Sequence, residues 1–592
     1  MSHMFYFFRV FIFLSFSLIQ VAAFAGKGRT PGAAINVTTG NFRKWDYSPT
    51  SVFGITSVDD THNKYFVKIS FVNSNTVRVE RYNPAGVMLN KTMLYFNNGA
   101  IAKLIETNQW GEEYSQSYFT KTKDGDYFVT RRQRGVNSFL PCKKMKVTYK
   151  DNLEKEARYY DEADTACTCG NGAAIIRYKR FTEANKFSLI KEMSFYNEQD
   201  SPVISSNLDC HKVVYQYDEK GNEISEKYYG VDGLPIATRL GIYGMQLHEG
   251  LLGNIFDEDN LGDKGQVINN VLGVARVEYI YSDNNFEIME VNYNAGFKVV
   301  RTSPLAGGIA VTQFKRDSKG NATEKTFYDE NKKPLNNTEG YQKTISVFSA
   351  RNMLTDEYYF DEAASPFLNK SGVHHYSYEM DSVGRVITTK YFDKTNKPCQ
   401  DNLDKVYQKR YRYDNYGRRI AEYYCDYDGK PMLRWNGYHE TRTTFNDDGK
   451  PTEISYFGID GNYTKSSNGF SKQKIAYDAK GLLVLRSYYD GDSAIMWNTG
   501  STVNNFHAIR YTYDELKRPV MIEYLNNDNN PVNAIASLGN YYSCSRFEVL
   551  YKGNRIATEK LYQVNSTEPI AVIDCGKEKY ISAAGTGTVS PR

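Results

Sequence analysis

Apolar and polar residues alternate in short runs along most of this chain, and clusters of Asp, Asn, Gly and Pro interrupt them. Alternation with a period of two is the mark of half-buried strands; sustained helical periodicity is scarce. One stretch shows the unit clearly. Tyr411 and Tyr413 stand two apart, on one face of a strand. Asp414, Asn415, Tyr416 and Gly417 follow as a turn, since Asp bonds the backbone ahead of it and Gly accepts positive φ. Arg419 to Cys425 is a second strand, and Asp426 to Pro431 a second turn with Gly429 and Pro431 as breakers. Each unit therefore reads as a β-hairpin, a turn and a connecting loop.

The unit recurs. Gly384, Gly417, Gly449 and Gly481 are separated by 33, 32 and 32 residues, and Pro334, Pro366, Pro398 and Pro431 by 32, 32 and 33. Gly221 and Gly320 mark earlier copies, Asn352 replaces the glycine in a degenerate one, and Lys517 replaces it in a later one. The seventh residue after the pivotal position is aromatic at Tyr228, Phe327, Tyr391, Tyr424, Tyr456 and Tyr488. The eighth is aromatic at Tyr229, Tyr328, Phe392, Phe457 and Tyr489 and points to the opposite face, with Cys425 the exception. A lone hairpin is marginal in water, whereas stacked hairpins share their apolar face. The predicted fold class is thus mainly β, with antiparallel hairpin repeats of about 32 residues stacked into an extended or spiralling sheet.

This rhythm divides the chain into a repeat array over 211–563, a divergent N-terminal β domain or cap over 26–210, and a C-terminal cap and tail over 564–592. Residues 1–25 stand outside the fold. Arg9 is the only charge between Met4 and Ala25; an apolar run follows it, and Ala23, Phe24 and Ala25 give a small-x-small cleavage pattern. That is the layout of a secretory signal peptide. The expected mature chain is secreted, periplasmic or displayed at the cell surface, with no transmembrane span after cleavage.

Composition narrows the function classes. The formal charge is +4, from 73 basic and 69 acidic residues, so there is no overall electrostatic footprint for nucleic acid. Aromatics make up 14% of the chain and 49 residues are Tyr, which suits strands that face both a core and water. Eight cysteines fall into two sequence clusters: Cys142, Cys167, Cys169 and Cys210, then Cys399, Cys425, Cys544 and Cys575. An even count in an exported chain favours disulfides, with pairing inside each cluster the simplest arrangement.

The Tyr413, Asp414 and Gly417 pattern resembles the YD repeats of Rhs-type proteins and teneurins. The resemblance implies a sheet of β-hairpins that can spiral into a shell. The stretch from Gly221 through Glu226 to Tyr228 and Tyr229 is similar to MORN-like repeats of the bacterial antitoxin-type family, and both readings stay open. Together they cover residues 211 to 562, and neither family supplies catalytic residues that transfer to this chain.

No HExxH, GxSxG or phosphate-binding loop is present. His374 and His375 are adjacent and face opposite sides of a strand, so they do not converge on one metal. The run from Asp257 to Gly262 begins like a calcium loop, but its fifth position is Leu261 and its twelfth Ile268. No cofactor or metal is expected, and the chain does not read as an enzyme. The expected function is a surface-interaction module for a glycan or protein ligand. Its candidate contact residues are Tyr229, Tyr328, Phe392, Phe457 and Tyr489, with Trp435 and Trp497 in the loops between hairpins. The alternatives are a structural shell or scaffold of YD-repeat type, and a secreted hydrolase with its site in residues 26–210.

Overall fold

The computed structural model describes residues 35–150, 153–181, 189–250, 254–479, 481–496, 506–514, 518–537, 541–552 and 555–574. The signal-peptide segment, Lys517, Trp497 and Cys575 lie outside the described residues. The fold is nearly all antiparallel β, as the alternation predicts, with one short 3-10 turn among the described residues, at Pro304–Ala306. Among the described residues no helix is long and apolar enough to cross a membrane.

The chain forms two compact units, residues 1–398 and 399–592. Within each, a hairpin is closed by a short turn and its second strand pairs with the first strand of the next hairpin. The strand His375–Met380 shows the register: it pairs along its length with Val386–Phe392, while three residues of Leu354–Phe360 pair with its start. After most hairpins the eighth position makes an isolated antiparallel bridge to the residue that closes the second turn, as in Tyr229 with Pro235, Phe360 with Pro366 and Phe457 with Tyr463; Tyr489 instead pairs with Ala494 in a two-residue ladder. The same bridge joins Tyr160 to Ala166 and Tyr196 to Pro202, upstream of residue 211. The hairpin rule therefore already operates in a segment whose turn spacing is too irregular to reveal it in sequence.

The Tyr-Asp pair has a separate task for each partner. The Asp side chain caps its own turn: Asp218 Oδ1 accepts the backbone N–H groups of Lys220 and Asn222, and Asp317 and Asp381 do the same for the residues two and four ahead. The pivotal residue then takes positive φ, 86° at Gly384 and 65° at Asn352, which is why Asn can stand in for Gly in the degenerate copy. The Tyr works on the neighbouring hairpin. Tyr477 donates its hydroxyl proton to the carbonyl of Pro451 at 2.9 Å, and Tyr513 donates to Leu483 at 2.8 Å, in each case the first residue of the preceding hairpin's second strand. Tyr281 does the same to Ile255.

The seventh-position aromatics are buried; at Tyr341, Tyr438, Phe470 and Phe506 they connect through a ring in the inter-hairpin loop, while other loops supply an aliphatic residue such as Ile242, Val274, Ile309 or Val373. In the second unit the rings run Tyr424, Tyr438, Tyr456, Phe470, Tyr488, Phe506, Tyr524 and Phe547, with successive centroids 4.5–5.9 Å apart. In the first unit a shorter chain runs Phe327, Tyr341, Tyr359, Tyr376 and Tyr391. Such pairs add about 0.5–1.5 kcal/mol each beyond area burial. The residue after the loop position is often a buried His or Gln that bonds the carbonyl of the seventh residue. His374 Nδ1 lies 2.8 Å from the carbonyl of Tyr359, His439 Nδ1 lies 2.7 Å from that of Tyr424, and Gln342 donates to that of Phe327. These histidines hold the sheet together.

Of the cysteines, Cys142 and Cys167 form a disulfide inside the first sequence cluster; Cys169, Cys210, Cys399, Cys425 and Cys544 are unbridged. Cys425 and Cys544 lie in strands, and at Cys425 a small apolar side chain replaces the eighth aromatic.

The stacked rings make a clear prediction. Tyr438 is 5% exposed and has ring contacts on both sides. Tyr438→Ala is expected to cost about 3–5 kcal/mol, as for other large-to-small core changes, whereas Tyr438→Phe keeps the stack and costs far less. Thermal unfolding of the two variants measures the difference.

Candidate functional site

The eighth-position residues line one face of each unit, as their parity requires. The register pairs each with the first residue of its own hairpin: Tyr229 with Lys212, Tyr328 with Val311, Phe392 with His375, Phe457 with Glu440 and Tyr489 with Lys472. Their outer surfaces are largely taken. Lys212 Nζ lies 5.0 Å from the Tyr229 ring centre, His375 stacks on Phe392 at 4.6 Å, and the Arg442 guanidinium lies 3.9 Å from Phe457. The Tyr328 hydroxyl donates to Gln313 Oε1 at 3.0 Å. Phe457 is 7% exposed, and Tyr229, Tyr328, Phe392 and Tyr489 are half-buried. Trp435 differs: it sits at the tip of an inter-hairpin loop, 61% exposed, with its backbone N–H donated to the carbonyl of Asp404. The structure thus gathers the ladder residues on sheet faces within their units and, among the described candidates, leaves only Trp435 largely open to solvent.

A second site lies on the row of pivotal turns in the first unit. In turns that begin at Asp317 and Asp381, the Asp side chain bonds N–H groups and leaves the carbonyl two residues ahead pointing outward. The N-terminal hairpins fill these carbonyls. Asn83 Nδ2 donates to the carbonyl of Lys319 at 2.8 Å, and Asn108 Nδ2 to that of Val383 at 3.0 Å. Between them, Trp110 Nε1 donates to the carbonyl of Arg351 at 2.7 Å, in the degenerate turn. Asn63 Nδ2 reaches the carbonyl of Asp283, one turn earlier. The Trp110 ring lies over Gly384, where an added Cβ would fall inside the indole.

The local sequence explains which partner donates. Asn83 and Asn108 cap their own turns through Oδ1, which accepts the N–H groups of Ala85 and Val87 and of Trp110 and Glu112. Their amide NH2 groups are then free to point outward as donors. The repeat turns mostly begin with Asp, which caps equally well but has no proton to give. Sequence reading missed this site because both residue types signal the same turn.

Apolar packing joins the same segments. Phe42, Val67, Val77 and Val129 of the N-terminal strands share one core with Tyr228, Met245 and Leu247 of the repeats. Charge is buried beside it. Burial raises the Glu223 carboxyl well above the usual range, with the charge of Glu226 adding to the effect and Lys44 opposing it. Glu287 is raised the same way, by burial first and Glu290 next, with Arg316 opposing. Burial also raises Glu249, against the charges of Lys44 and Arg43.

One cluster has metal-ligand chemistry on paper. His248, Asp257 and Asp259 bring ligand atoms within 4.8 Å of one another, all from strands. Arg276 donates two hydrogen bonds to Asp259, both 2.6 Å, and has its guanidinium 3.8 Å from Asp257. The guanidinium pairs with Asp259, and His248 Nδ1 contacts Asp257, so the group reads as an ion-pair network.

Sequence reading also missed a charge row on the eighth-position face. From residue 212 to residue 525 the third residue of each hairpin's first strand is Val214, Gln246, Glu278, Gln313, Ile345 and Ser377 in the first unit, and Arg410, Arg442, Lys474 and Arg510 in the second; the last hairpin has Glu548 there. The charges are visible in the sequence, but only the register puts them on one face.

No family model matches the chain, and no curated protein matches it. Solved structures to which it is similar include a TcdB2–TccC3–Cdc42 complex at 10% identity and TM-score 0.33, covering 83% of this chain and 27% of that one. A TcdB2–TccC3 structure matches at 11% identity and TM-score 0.30, covering 86% and 28%. The Tc holotoxin pore of Photorhabdus luminescens matches at 11% identity and TM-score 0.18, covering 86% and 33%. The chain spans about a third or less of the length of these structures.

Two outcomes test the turn-row site. Asn83→Asp with Asn108→Asp keeps both turn caps and removes both donors; a loss of about 1–3 kcal/mol per site is expected from the stranded carbonyls, read as earlier thermal unfolding and faster proteolysis between the N-terminal hairpins and the repeats. The buried carboxylates set a pH dependence. Glu223, Glu249 and Glu287 bind protons more tightly folded than unfolded, so their contribution is complete below the usual carboxylate range and declines as pH rises through neutral. The turn aspartates, such as Asp218 and Asp381, are lowered and are ionised throughout that window. The melting temperature is expected to fall from about pH 5 to about pH 8, and Glu223→Gln with Glu287→Gln to flatten the slope.

Proposed function

We propose that the chain is an exported structural scaffold of the YD-repeat kind, whose hairpin array holds polypeptide against its turns and sheet face. The observation that carries this reading is the row of turn carbonyls at Asp283, Lys319, Arg351 and Val383, each accepting a side-chain proton from a segment more than 200 residues away in sequence. Backbone carbonyls at a regular step are a recognition surface for extended or hairpin polypeptide, and they need no catalytic group. The Tyr413, Asp414 and Gly417 pattern supports the same reading, because its residues are spent on closing one hairpin against the next.

The eighth-position aromatics fit a scaffold better than a ligand-binding ladder. Each already has a cross-strand cation, imidazole, amide or bridging turn over it, so a ligand ring would have to displace an internal contact.

Purification of the tagged chain from its exporting cell, with mild cross-linking, tests the proposal. A polypeptide partner captured in a fixed ratio is the expected result. The reading fails if no polypeptide is held and a glycan array shows saturable binding that Phe392→Ser and Tyr489→Ser abolish without lowering the melting temperature. On the scaffold reading those two substitutions lower the melting temperature, by roughly 2–4 °C for each kcal/mol lost in a unit of this size.

A further inference from the structure

The second unit carries a charge pattern that scaffolding does not require. We propose that the eighth-position face of residues 399–592 is a docking surface for a linear acidic polysaccharide, one with an anionic group on every second sugar. This inference rests on side chains separate from the turn row and stands apart from the scaffold reading.

The cations are placed by register. Arg410 opposes Tyr423, Arg442 opposes Ser455, Lys474 opposes Ser487 and Arg510 opposes Glu523, all on one face. Arg412 adds a fifth cation two residues beyond Arg410 and is linked through Ala421 to Arg442. Arg410, Arg412, Arg442 and Lys474 are exposed. The carboxylates on this face among the strands are Glu440, Glu453, Glu523 and Glu548, the last of which accepts the Tyr562 hydroxyl at 2.8 Å. Arg442 holds Glu440 through two bonds of 2.7 and 2.8 Å, and Arg510 approaches Glu523 at 3.6 Å. Glu453 opposes Lys474 across the hairpin junction and accepts a bond from Ser455. Among the described residues no carboxylate lies within ion-pair distance of Arg410, Arg412 or Lys474.

The contrast with the first unit makes the pattern specific. At the third strand position six hairpins in succession carry no cation, from Val214 to Ser377, and the next four, from Arg410 to Arg510, all carry one; Lys146 and Arg177 of earlier hairpins stand at the same position but are ion-paired to Asp126 and to Glu156 and Asp200, and the last hairpin has Glu548 there. The fold is the same in both, so strand formation does not demand it. Surface ion pairs contribute little to stability, and most of these cations have no such pair.

Spacing selects the ligand. Equivalent residues of successive hairpins are two strands apart and offset by two residues, as Arg442 pairing through Ala421 to Arg412 shows. At about 4.8 Å per strand and 3.4 Å per residue, the step is roughly 12 Å. A nucleic-acid strand offers a phosphate every ~3.4 Å of helix axis, several per step. A polysaccharide with one carboxylate or sulfate per disaccharide comes close to one charge per hairpin, and long Arg and Lys side chains absorb the difference.

The test uses the full mature chain and a triple variant, Arg410→Ser, Arg412→Ser and Lys474→Ser, which leaves the Arg442–Glu440 pair intact. The probes are hyaluronate, which has one carboxylate per disaccharide, neutral dextran, and an oligothymidylate. Saturable hyaluronate binding is expected, at least tenfold tighter than either other probe, weakening with salt, and at least tenfold weaker in the triple variant at unchanged melting temperature. Lys474→Gln alone is expected to lose two- to fivefold, which keeps the test open if the triple variant does not fold. No binding of hyaluronate, equal or tighter binding of oligothymidylate, or binding unaltered by Lys474→Gln would each overturn the proposal.

Discussion

A two-stranded hairpin cannot bury its own face or satisfy its outer edge, and every recurrent residue of this protein answers that constraint by working on a neighbour. The Tyr of the Tyr-Asp pair closes the edge, by giving its hydroxyl proton to a carbonyl of the preceding hairpin. Where the loop supplies a ring, the seventh-position ring closes the face by meeting it, and the loop ring meets the next hairpin in turn. The buried His or Gln after that loop position adds a second bond to the carbonyl of the seventh residue, which already accepts a backbone N–H from the turn, as at Tyr359, Tyr424 and Phe327. Stability in each unit is therefore a sum of junction terms. A change at one junction is felt locally, and no single buried cluster holds a whole unit together.

The same logic explains why chemistry is sparse. Histidines, carboxylates and rings that look available in the sequence are consumed by junctions or by their own turns. His374 and His439 bond backbone carbonyls, Asp218 and Asp381 cap turns, and the His248, Asp257 and Asp259 group forms an ion-pair network with Arg276. What remains for partners is what the junctions do not use: turn carbonyls on one edge, and the third strand position on one face. The first unit uses its turn carbonyls to hold the N-terminal hairpins. The second unit has cations at its third strand positions from Arg410 to Arg510. Two units built by one rule thus differ in the surfaces left over.

The sequence by itself determined the hairpin, its two turns and its period, because Asp, Gly, Pro and the paired aromatics encode local geometry and recur within one residue of a fixed step. It also determined that the aromatics at the seventh and eighth positions face opposite ways, since parity along a strand is fixed by the backbone. The tertiary structure alone decided which of those rings is buried, because burial depends on the loop residue supplied by the next hairpin, and Tyr438 or Phe470 lies too far from its partner's turn signal to be paired by eye. It alone decided that Asn83 and Asn108 are donors to distant turns, since Asn and Asp cap a turn equally and differ only in the proton that Asn keeps for a contact more than 200 residues away. Only the register, which sets two strands and two residues between equivalent positions, turned Arg410, Arg442, Lys474 and Arg510 from scattered charges into a row.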